Sequence, residues 1–445
     1  MSKKRTKKIQ DYNATYSLLH RYVSFAVHHS YRKILHVGKE NIPQDGAIIF
    51  APNHTNTLMD ALVILAYNHG PKVFVARADI FRNRKLAKIF TFMKIMPIMR
   101  QRDGFQAVKK NQETIDKAVD VLKDKIPFCI FPEGTHQAKY SSLPLSKGIL
   151  KIAFQAHEQM PEVPLYIVPV GIRYGDFFRF RSTVRMEFGK PINVGEYIAA
   201  NDQRTPQEQM NGMRELLAER LHATIFHIPN NEDYDATYEI CNAVEPYEKA
   251  EVLKDKNNRN MDCLELQFQA NNRTLERINA LKSNDPEKAA KLLELGKEAY
   301  KIRKKKGIDV ESASVKKPLI SRIGRILLTL ITLPYTLPVS VLASPVVGIC
   351  QFIFTKLKDP AFRNSVRFVM NLVVWLLLVL IYAIIAFCLL PWQWALIATL
   401  FIAPAPIVAH EVWKTVRLTV SDIKLLKEKK LQKIYSKIRE TIHKK

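Results

Sequence analysis

Short apolar runs alternate with longer helical patterns in the first half of the chain. Helical patterns cover residues 104–123 and 147–159, and Thr205, Pro206 and Glu208 match the start of a further helix. The apolar runs have the length and β-rich composition of strands and occupy residues 47–50, 73–76, 128–131, 165–170 and 184–188. This alternation predicts an α/β fold for residues 1–230, with a mixed sheet flanked by helices.

The pattern changes after residue 230. Residues 231–318 are polar and charged, with helical patterns at 261–282 and 286–306, and we interpret them as a helical insertion or linker. The basic run 301–306 fits either a solvated helix face or a contact with a membrane surface.

Two long apolar blocks follow, and we expect residues 319–413 to form membrane-embedded helices. The block 368–412 is long enough for two crossings of about 20 residues each, with its turn at Pro391 between apolar arms, so it predicts an α-helical membrane hairpin. The block 326–354 contains Pro334, Pro338 and Pro345 and is short for two spans. We interpret it as a re-entrant or interfacial hairpin, with a single span as the alternative.

Basic residues flank both apolar blocks, which predicts that the ends of both blocks are cytoplasmic. The basic N-terminus is followed by a polar segment rather than the apolar core of a signal peptide, so we expect a membrane protein whose first domain is on the cytoplasmic side. Residues 414–445 combine lysines with spaced apolar positions and predict a basic amphipathic tail lying on anionic lipid.

Charge and composition indicate which classes of binding partner and cofactor to expect. The 68 Lys and Arg residues against 42 Asp and Glu residues give a net charge of +26, which favours anionic partners such as nucleic acid, phospholipid or phosphorylated metabolites. The five cysteines lack any CxxC pair, so we expect reduced thiols rather than a disulfide framework or a zinc site. The sequence has no GxxxxGK, GxGxxG or HExxH motif, so we expect no metal and no nucleotide cofactor.

The first candidate for chemistry is His54, which follows an apolar strand and precedes a helical run. An imidazole can take a proton from an alcohol near neutral pH, and a carboxylate on its other nitrogen would fix its tautomer. Asp60 could supply that carboxylate if His54 lies in a loop. Alternatively, Asp60 is the third residue of a capping box started by Thr57, and His54 is only a surface residue.

Further polar residues follow other strands. Glu133 and Gly134 follow the run 128–131, where a carboxylate could hold the hydroxyls of a polyol, although the segment also fits an ordinary turn. Arg100 offers a planar fork for phosphate and Arg102 could assist it, although a solvated basic face would look the same. Pro169 interrupts an apolar strand and is expected to be structural or part of an acyl pocket wall.

Taken in order, these segments resemble the glycerolipid acyltransferase superfamily. The resemblance covers roughly residues 35–225 and rests on a His-to-Asp block, a block ending in arginine, a Phe-Pro-Glu-Gly-Thr block and a Val-Pro-Val block, at residues 54–60, 97–100, 131–135 and 167–170. Five residues rather than the usual four separate His54 from Asp60, as in the fungal type of glycerol-3-phosphate acyltransferase. His136 stands where arginine or serine is common.

The resemblance implies a membrane-bound O-acyltransferase of phospholipid synthesis. His54 and Asp60 would be catalytic, and the substrate-binding residues would be Arg100, Arg102, Glu133, Gly134 and Thr135. The acceptor would be glycerol 3-phosphate or 1-acylglycerol 3-phosphate, and the donor an acyl thioester, with acyl-CoA or acyl carrier protein as co-substrate and no further cofactor.

Two other classes compete with this interpretation. A non-catalytic lipid-binding or scaffold protein would keep the basic surface and the hairpin without needing His54. A membrane-tethered nucleic-acid binder could use the positive charge, but no helix-turn-helix, zinc or RNA-binding signature is evident, so we expect no nucleic-acid partner.

Overall fold

The chain is divided into two compact units. The computed structural model describes residues 8–99, 111–313 and 319–443. We call Met1–Ile225 together with Leu357–Phe368 the sheet unit, and Phe226–Lys356 together with Val369–Lys445 the helical unit. The short segment 357–368 therefore belongs to the sheet unit although it lies far along the chain.

The sheet unit is built on an eight-stranded sheet with the order β1-β7-β6-β2-β5-β3-β4, and β8 also pairs with β6. Pairs of β6 with β7 and β8 are antiparallel, and the other pairs are parallel. The predicted mixed sheet is confirmed. The strands are β1 Tyr31–Val37, β2 Ala47–Pro52, β3 Val73–Arg77, β4 Ile95–Ile98, β5 Phe128–Cys129, β6 Leu165–Tyr174, β7 Ser182–Phe188 and β8 Ile192–Asn193.

Helices cover both faces of this sheet. The helices of the sheet unit are α1 Ala14–Ser30, α2 Leu58–Leu65, α3 Arg84–Phe92, α4 Asn111–Lys123, α5 Gly148–Gln159, α6 Val194–Ala199, α7 Pro206–His222 and most of α13 Phe362–Val369. Every residue of β2 is buried, as expected for a strand covered on both faces. Helix α7 begins with the predicted capping box between Thr205 and Glu208.

Pro169 lies inside β6, where it lacks the N–H of an ordinary strand residue. Strand β6 pairs with β8 at Tyr166 and Ile167 and with β7 from Val170 onward, so residues 168 and 169 fall between the two pairings. The missing donor therefore breaks no ladder bond. Its carbonyl accepts a hydrogen bond from Gly189 N at 2.9 Å.

The helical unit contains a polar bundle and the apolar helices. Its helices are α8 Tyr234–Val252, α9 Cys263–Asn284, α10 Pro286–Lys306, α11 Val310–Ala313, α12 Leu319–Lys356, α14 Leu376–Leu389, α15 Trp392–Ile402, α16 Ala405–Lys427 and α17 Lys429–His443, with a π-helical stretch at Met370–Trp375. The predicted helices at 261–282 and 286–306 correspond to α9 and α10. The division of the chain into four parts stays a prediction.

Helix α12 corrects the prediction of a bent hairpin at 326–354. It is one continuous helix of 38 residues that contains all three prolines. Each proline removes one backbone donor. Two hydroxyl groups bond back to the helix in the same stretch, since Thr336 donates to Thr332 O at 2.8 Å and Ser340 donates to Thr336 O at 2.6 Å.

Apolar helices of membrane-spanning length are present in the described part of the chain. Two qualify by length and composition, Ile320–Lys356 and Phe362–Leu389, and a third would be the pair Trp392–Ile402 and Ala405–Lys427, which is bent by 48°. The predicted turn near Pro391 is found between α14 and α15.

The tail forms an amphipathic helix, α17, but its apolar side does not face lipid as we expected. Leu431, Ile434 and Ile438 are buried in a cluster with Ile240 of α8 and Leu292 of α10. Our expectation for this side of the helix was therefore wrong, because the polar bundle supplies an apolar partner that the sequence pattern did not reveal.

Candidate active site

The first two candidate segments meet at one edge of the sheet. Strands β2 and β5 are parallel neighbours, so the residues after their carboxyl ends lie side by side. The chain leaving β2 is fixed by Asn53, which donates to Ile172 O at 3.1 Å and accepts from Ile172 N at 2.7 Å. This anchoring places the next residue, His54, at the strand end.

His54 and Asp60 form the predicted pair. His54 Nδ1 lies 2.8 Å from Asp60 Oδ2, and the Asp60 side chain is 0% exposed. The same carboxylate oxygen accepts from the amides of Thr55 at 2.8 Å and Asn56 at 2.7 Å. Because this carboxylate accepts from its surrounding donors, Nδ1 carries the hydrogen and Nε2 is the nitrogen that can accept a proton.

The alternative in which Thr57 caps helix α2 and Asp60 completes a capping box is wrong. Thr57 makes no side-chain cap bond, and Asp60 binds the amides of the loop before the helix instead. Thr57 has φ of 48° and ψ of −123°, a conformation that β-branched residues rarely adopt. This turn accommodates the five-residue spacing and still closes the His54–Asp60 pair.

The second oxygen of Asp60 is held by a buried tyrosine that the sequence analysis missed. Tyr174, the last residue of β6, donates to Asp60 Oδ1 at 2.7 Å. Tyr31 hydrogen-bonds Tyr174 in turn, and burial raises the pKa of both hydroxyls well above its ordinary value. A tyrosine at the end of an apolar strand was the available signal, since a buried hydroxyl needs a partner.

Glu133 lies beside the pair. Its Oε2 accepts from His54 N at 3.3 Å, and burial raises the pKa of Glu133 to about 8, with the nearby Asp60 charge adding to the effect. Its other oxygen, Oε1, is buried without a hydrogen-bond partner among the described residues. Phe131 supplies an apolar platform, stacking on the His54 ring with centroids 4.2 Å apart.

The remaining predicted residues are placed differently. Gly134 and Thr135 are exposed, and Gly134 has a φ of 64° that favours glycine. The Gly134 amide donates to Phe131 O at 3.1 Å, so it is already used within the turn.

Arg100 and Arg102 lie outside the described residues. The described residues on either side of them are joined by two hydrogen bonds. The Asn111 side chain accepts from Met99 N and donates to Met99 O, both at 2.8 Å. Their predicted contact with phosphate stays a prediction.

A second imidazole, that of His136, lies beside the His54 ring. His136 lies with its ring centroid 5.4 Å from that of His54, and its Nε2 is 2.8 Å from Asp359 Oδ2. Nothing in the sequence pattern indicated this contact, since the two residues are separated by 223 positions.

An imidazole held by a buried carboxylate at the carboxyl ends of parallel strands, beside a buried glutamate, has the geometry with which a general base can accept a proton from a hydroxyl group. The family described as Acyltransferase matches residues 33–173 of the chain. This segment contains His54, Asp60 and Glu133, and the match supports the predicted resemblance of residues 33–173 to the glycerolipid acyltransferase superfamily.

Individual relatives agree with this assignment. Over 36% of its length the chain is 27% identical to glycerol-3-phosphate O-acyltransferase 2 of Saccharomyces cerevisiae, and it covers 21% of that protein. Over 34% of its length it is 25% identical to a probable 1-acyl-sn-glycerol-3-phosphate acyltransferase of Mycoplasma pneumoniae, and it covers 54% of that protein.

One solved structure is also similar. The 1-acyl-sn-glycerophosphate acyltransferase of Thermotoga maritima aligns with 47% of this chain and 78% of its own at 20% identity, with a TM-score of 0.34.

Proposed function

We propose that this protein transfers a fatty acyl group from an acyl thioester to a hydroxyl of glycerol 3-phosphate or 1-acylglycerol 3-phosphate. The observation that carries the proposal is the His54–Asp60 pair, in which Asp60 is fully buried and both of its oxygens are hydrogen-bonded. Such a carboxylate orients the imidazole and stabilises its protonated form.

The reaction needs one proton acceptor. The acceptor hydroxyl oxygen attacks the thioester carbonyl carbon while His54 Nε2 takes the hydroxyl proton. The tetrahedral intermediate collapses by breaking the carbon–sulfur bond, and the imidazolium returns the proton to the leaving thiolate. No acyl-enzyme is required, because the thioester is already activated and a thiolate leaves readily.

Existing hydrogen bonds limit which backbone amides near the site can stabilise the negatively charged oxygen of the tetrahedral intermediate. The amides of Thr55 and Asn56 are bound to Asp60, and the amide of Gly134 is bound to Phe131 O. These three amides are therefore occupied, and oxyanion stabilisation by them would require breaking existing hydrogen bonds.

Two considerations support an acceptor that carries a phosphate and a hydroxyl group. Glu133 borders His54 and could hold a polyol hydroxyl, and we assign the acceptor phosphate to Arg100 with Arg102. The similar yeast protein is named for glycerol 3-phosphate and the similar Mycoplasma protein for its 1-acyl derivative. These acceptors share a phosphate and a hydroxyl.

We further propose that the apolar helices hold the protein at a membrane with the sheet unit on the cytoplasmic side. The described helices Ile320–Lys356 and Phe362–Leu389 have the required length and composition. Basic residues such as Lys356 and Arg363 flank them, as is typical of cytoplasmic segments.

The test is a transfer assay with the purified full chain in lipid vesicles. Labelled glycerol 3-phosphate and labelled 1-acylglycerol 3-phosphate are each offered with acyl-CoA and with acyl carrier protein. We expect transfer by the wild type and a loss of about 10²–10⁴-fold in kcat for His54→Ala, because the positioned base is removed.

His29→Ala is the matched control, since the His29 side chain is exposed and bonds to Phe25 O of its own helix through Nδ1. It should retain wild-type activity. Full activity in His54→Ala would overturn the proposed base, and absence of transfer by the wild type with every pair of substrates would favour the lipid-binding or scaffold interpretation.

A further inference from the structure

The segment 357–368 connects the apolar helix α12 to the next apolar stretch, yet it is part of the sheet unit. Within it, α13 begins at Phe362 and buries Asn364, Ser365 and Phe368. A connection between two apolar helices would ordinarily be a solvent-exposed loop. Here its buried polar residues are directed at the candidate active site.

Ser365 contacts the turn that closes the catalytic pair. Its Oγ shares a hydrogen bond of 2.7 Å with Thr57 Oγ1, and both residues are buried. Thr57 is the residue with the positive φ, and it directly follows the two residues whose amides bind Asp60.

Asn364 contacts the other side of the same carboxylate through two tyrosines. Asn364 Nδ2 lies 3.4 Å from Tyr31 Oη, Tyr31 hydrogen-bonds Tyr174, and Tyr174 donates to Asp60 Oδ1. The segment 357–368 is therefore connected to both carboxylate oxygens of Asp60, to Oδ2 through the turn at Thr57 and to Oδ1 through the two tyrosines.

Three further contacts hold the segment in place. Asp359 binds His136, the Phe362 ring meets the edge of the His136 ring at a centroid distance of 5.3 Å, and the Arg367 guanidinium donates to Phe178 O. The segment is thus attached along most of its length.

We propose that the segment 357–368 is a positioning element of the active site, in which Ser365 holds Thr57 in the strained conformation that closes the His54–Asp60 pair. The inference rests on the proposed function for its kinetic test. Ser365 is a positioning residue: it touches neither His54 nor Asp60 and acts through Thr57.

The physical reason is the cost of the Thr57 conformation. A β-branched residue with a positive φ is strained, and such strain persists only where the surroundings fix it. Without the Ser365 hydroxyl, the turn can relax toward an ordinary φ. The amides of Thr55 and Asn56 would then move away from Asp60, and the carboxylate would no longer fix the imidazole.

The experiment compares four variants with the wild type in the full chain: Ser365→Ala, Ser365→Thr, Thr57→Gly and the double variant Thr57→Gly/Ser365→Ala. We expect Ser365→Ala to lower kcat about tenfold, the equivalent of one lost hydrogen bond, with each KM within about twofold of wild type. Ser365→Thr, which keeps the hydroxyl, should restore most of kcat.

The double variant tests most directly whether Ser365 acts through Thr57. Glycine adopts a positive φ without strain and lacks the hydroxyl that Ser365 bonds, so Ser365→Ala should cost almost nothing further when Thr57 is replaced by glycine. Ser283→Ala is the matched control, because the exposed Ser283 hydroxyl bonds only to Asn279 O of its own helix.

A second readout needs no substrate: the rate of His54 carbethoxylation by diethyl pyrocarbonate, resolved by mass spectrometry. This rate should fall several-fold in Ser365→Ala and not in Ser283→Ala. Unchanged kcat and unchanged His54 reactivity in Ser365→Ala, or an equal loss with and without glycine at position 57, would overturn the inference. If the wild type transfers no acyl group, the proposed function fails, and the carbethoxylation rates still decide this inference.

Discussion

Two histidine–carboxylate pairs lie at the same edge of the sheet, and they differ mainly in the surroundings of the carboxylate. His54 and Asp60 are 2.8 Å apart, as are His136 and Asp359. The Asp60 side chain is 0% exposed, whereas that of Asp359 is 48% exposed. Contact distance alone therefore does not indicate which imidazole is a base.

The surroundings of the two carboxylates explain the difference. Asp60 accepts three hydrogen bonds besides the one from His54, and these bonds fix its orientation. Because Asp60 is buried, the low dielectric constant of its surroundings strengthens its electrostatic interactions. Within the described part of the chain, Asp359 accepts one other hydrogen bond, from Ala361 N at 2.8 Å, and water screens its charge. We infer that the buried pair prepares a base and that the exposed pair joins two segments of chain.

The largest expected effect comes from removing the charge of each carboxylate while keeping its shape. Asp60→Asn should lower kcat about 10³-fold or more, because an amide cannot accept from all four donors and no longer stabilises the imidazolium. Asp359→Asn is the matched variant and should lower kcat less than about threefold. Steady-state acyl transfer measures both, and equal losses would show that burial does not distinguish the two pairs.

Glu133 sharpens the comparison, because it is buried like Asp60 but has an oxygen without a partner among the described residues. The pKa of Glu133 is raised to about 8 in the folded state, against about 4.3 for an unfolded chain. The folded state thus binds the proton of the Glu133 carboxyl group more tightly than the unfolded state does. The contribution of this proton to the free energy of unfolding is greatest below about pH 4.3 and is lost as the pH rises toward 8.

Glu133→Gln should remove this pH dependence. We expect the Tm of the wild type to fall relative to that of Glu133→Gln between pH 5 and pH 8, by the equivalent of a few kcal/mol at most. Thermal unfolding of both full-length proteins across this range is the measurement. Parallel Tm curves would mean that Glu133 titrates at an ordinary carboxyl pKa.

The smallest effect concerns the stability contributed by the exposed pair. Asp359→Asn should change the free energy of unfolding by less than about 1 kcal/mol, because half-exposed ion pairs are weakened by solvent. The change in Tm relative to wild type, measured at low and at high salt, tests this. A large destabilisation that persists at high salt would contradict the interpretation of this pair as a weak connecting contact.

Local patterns were sufficient to predict much of the sheet unit. Strands β2, β3, β6 and β7 follow runs of apolar residues, and the start of α7 follows from Thr205 and Glu208. The His54–Asp60 pair was also predictable, because six positions of chain bring the two side chains together through a single turn.

Contacts between distant segments could not be predicted in this way. Tyr174 and Asp60 are 114 positions apart, and Ser365 and Thr57 are 308 apart. Asparagine and serine at 364 and 365 look like ordinary loop residues, since only the tertiary fold shows that they are buried. The apolar side of α17 was assigned to lipid for the same reason, because hydrophobic periodicity does not specify what covers it.

The return of residues 357–368 to the sheet unit restricts how the chain can enter a bilayer. The chain leaves the sheet unit after Ile225 and re-enters it at Leu357, and in the described stretch between them only the helix Ile320–Lys356 is long and apolar enough for a crossing. One traverse of a bilayer would place Ile320 and Lys356 on opposite sides, and the sheet unit resumes directly after Lys356. A full crossing by this helix would therefore keep the whole sheet unit on one side only if the chain crossed a second time between Ile225 and Ile320.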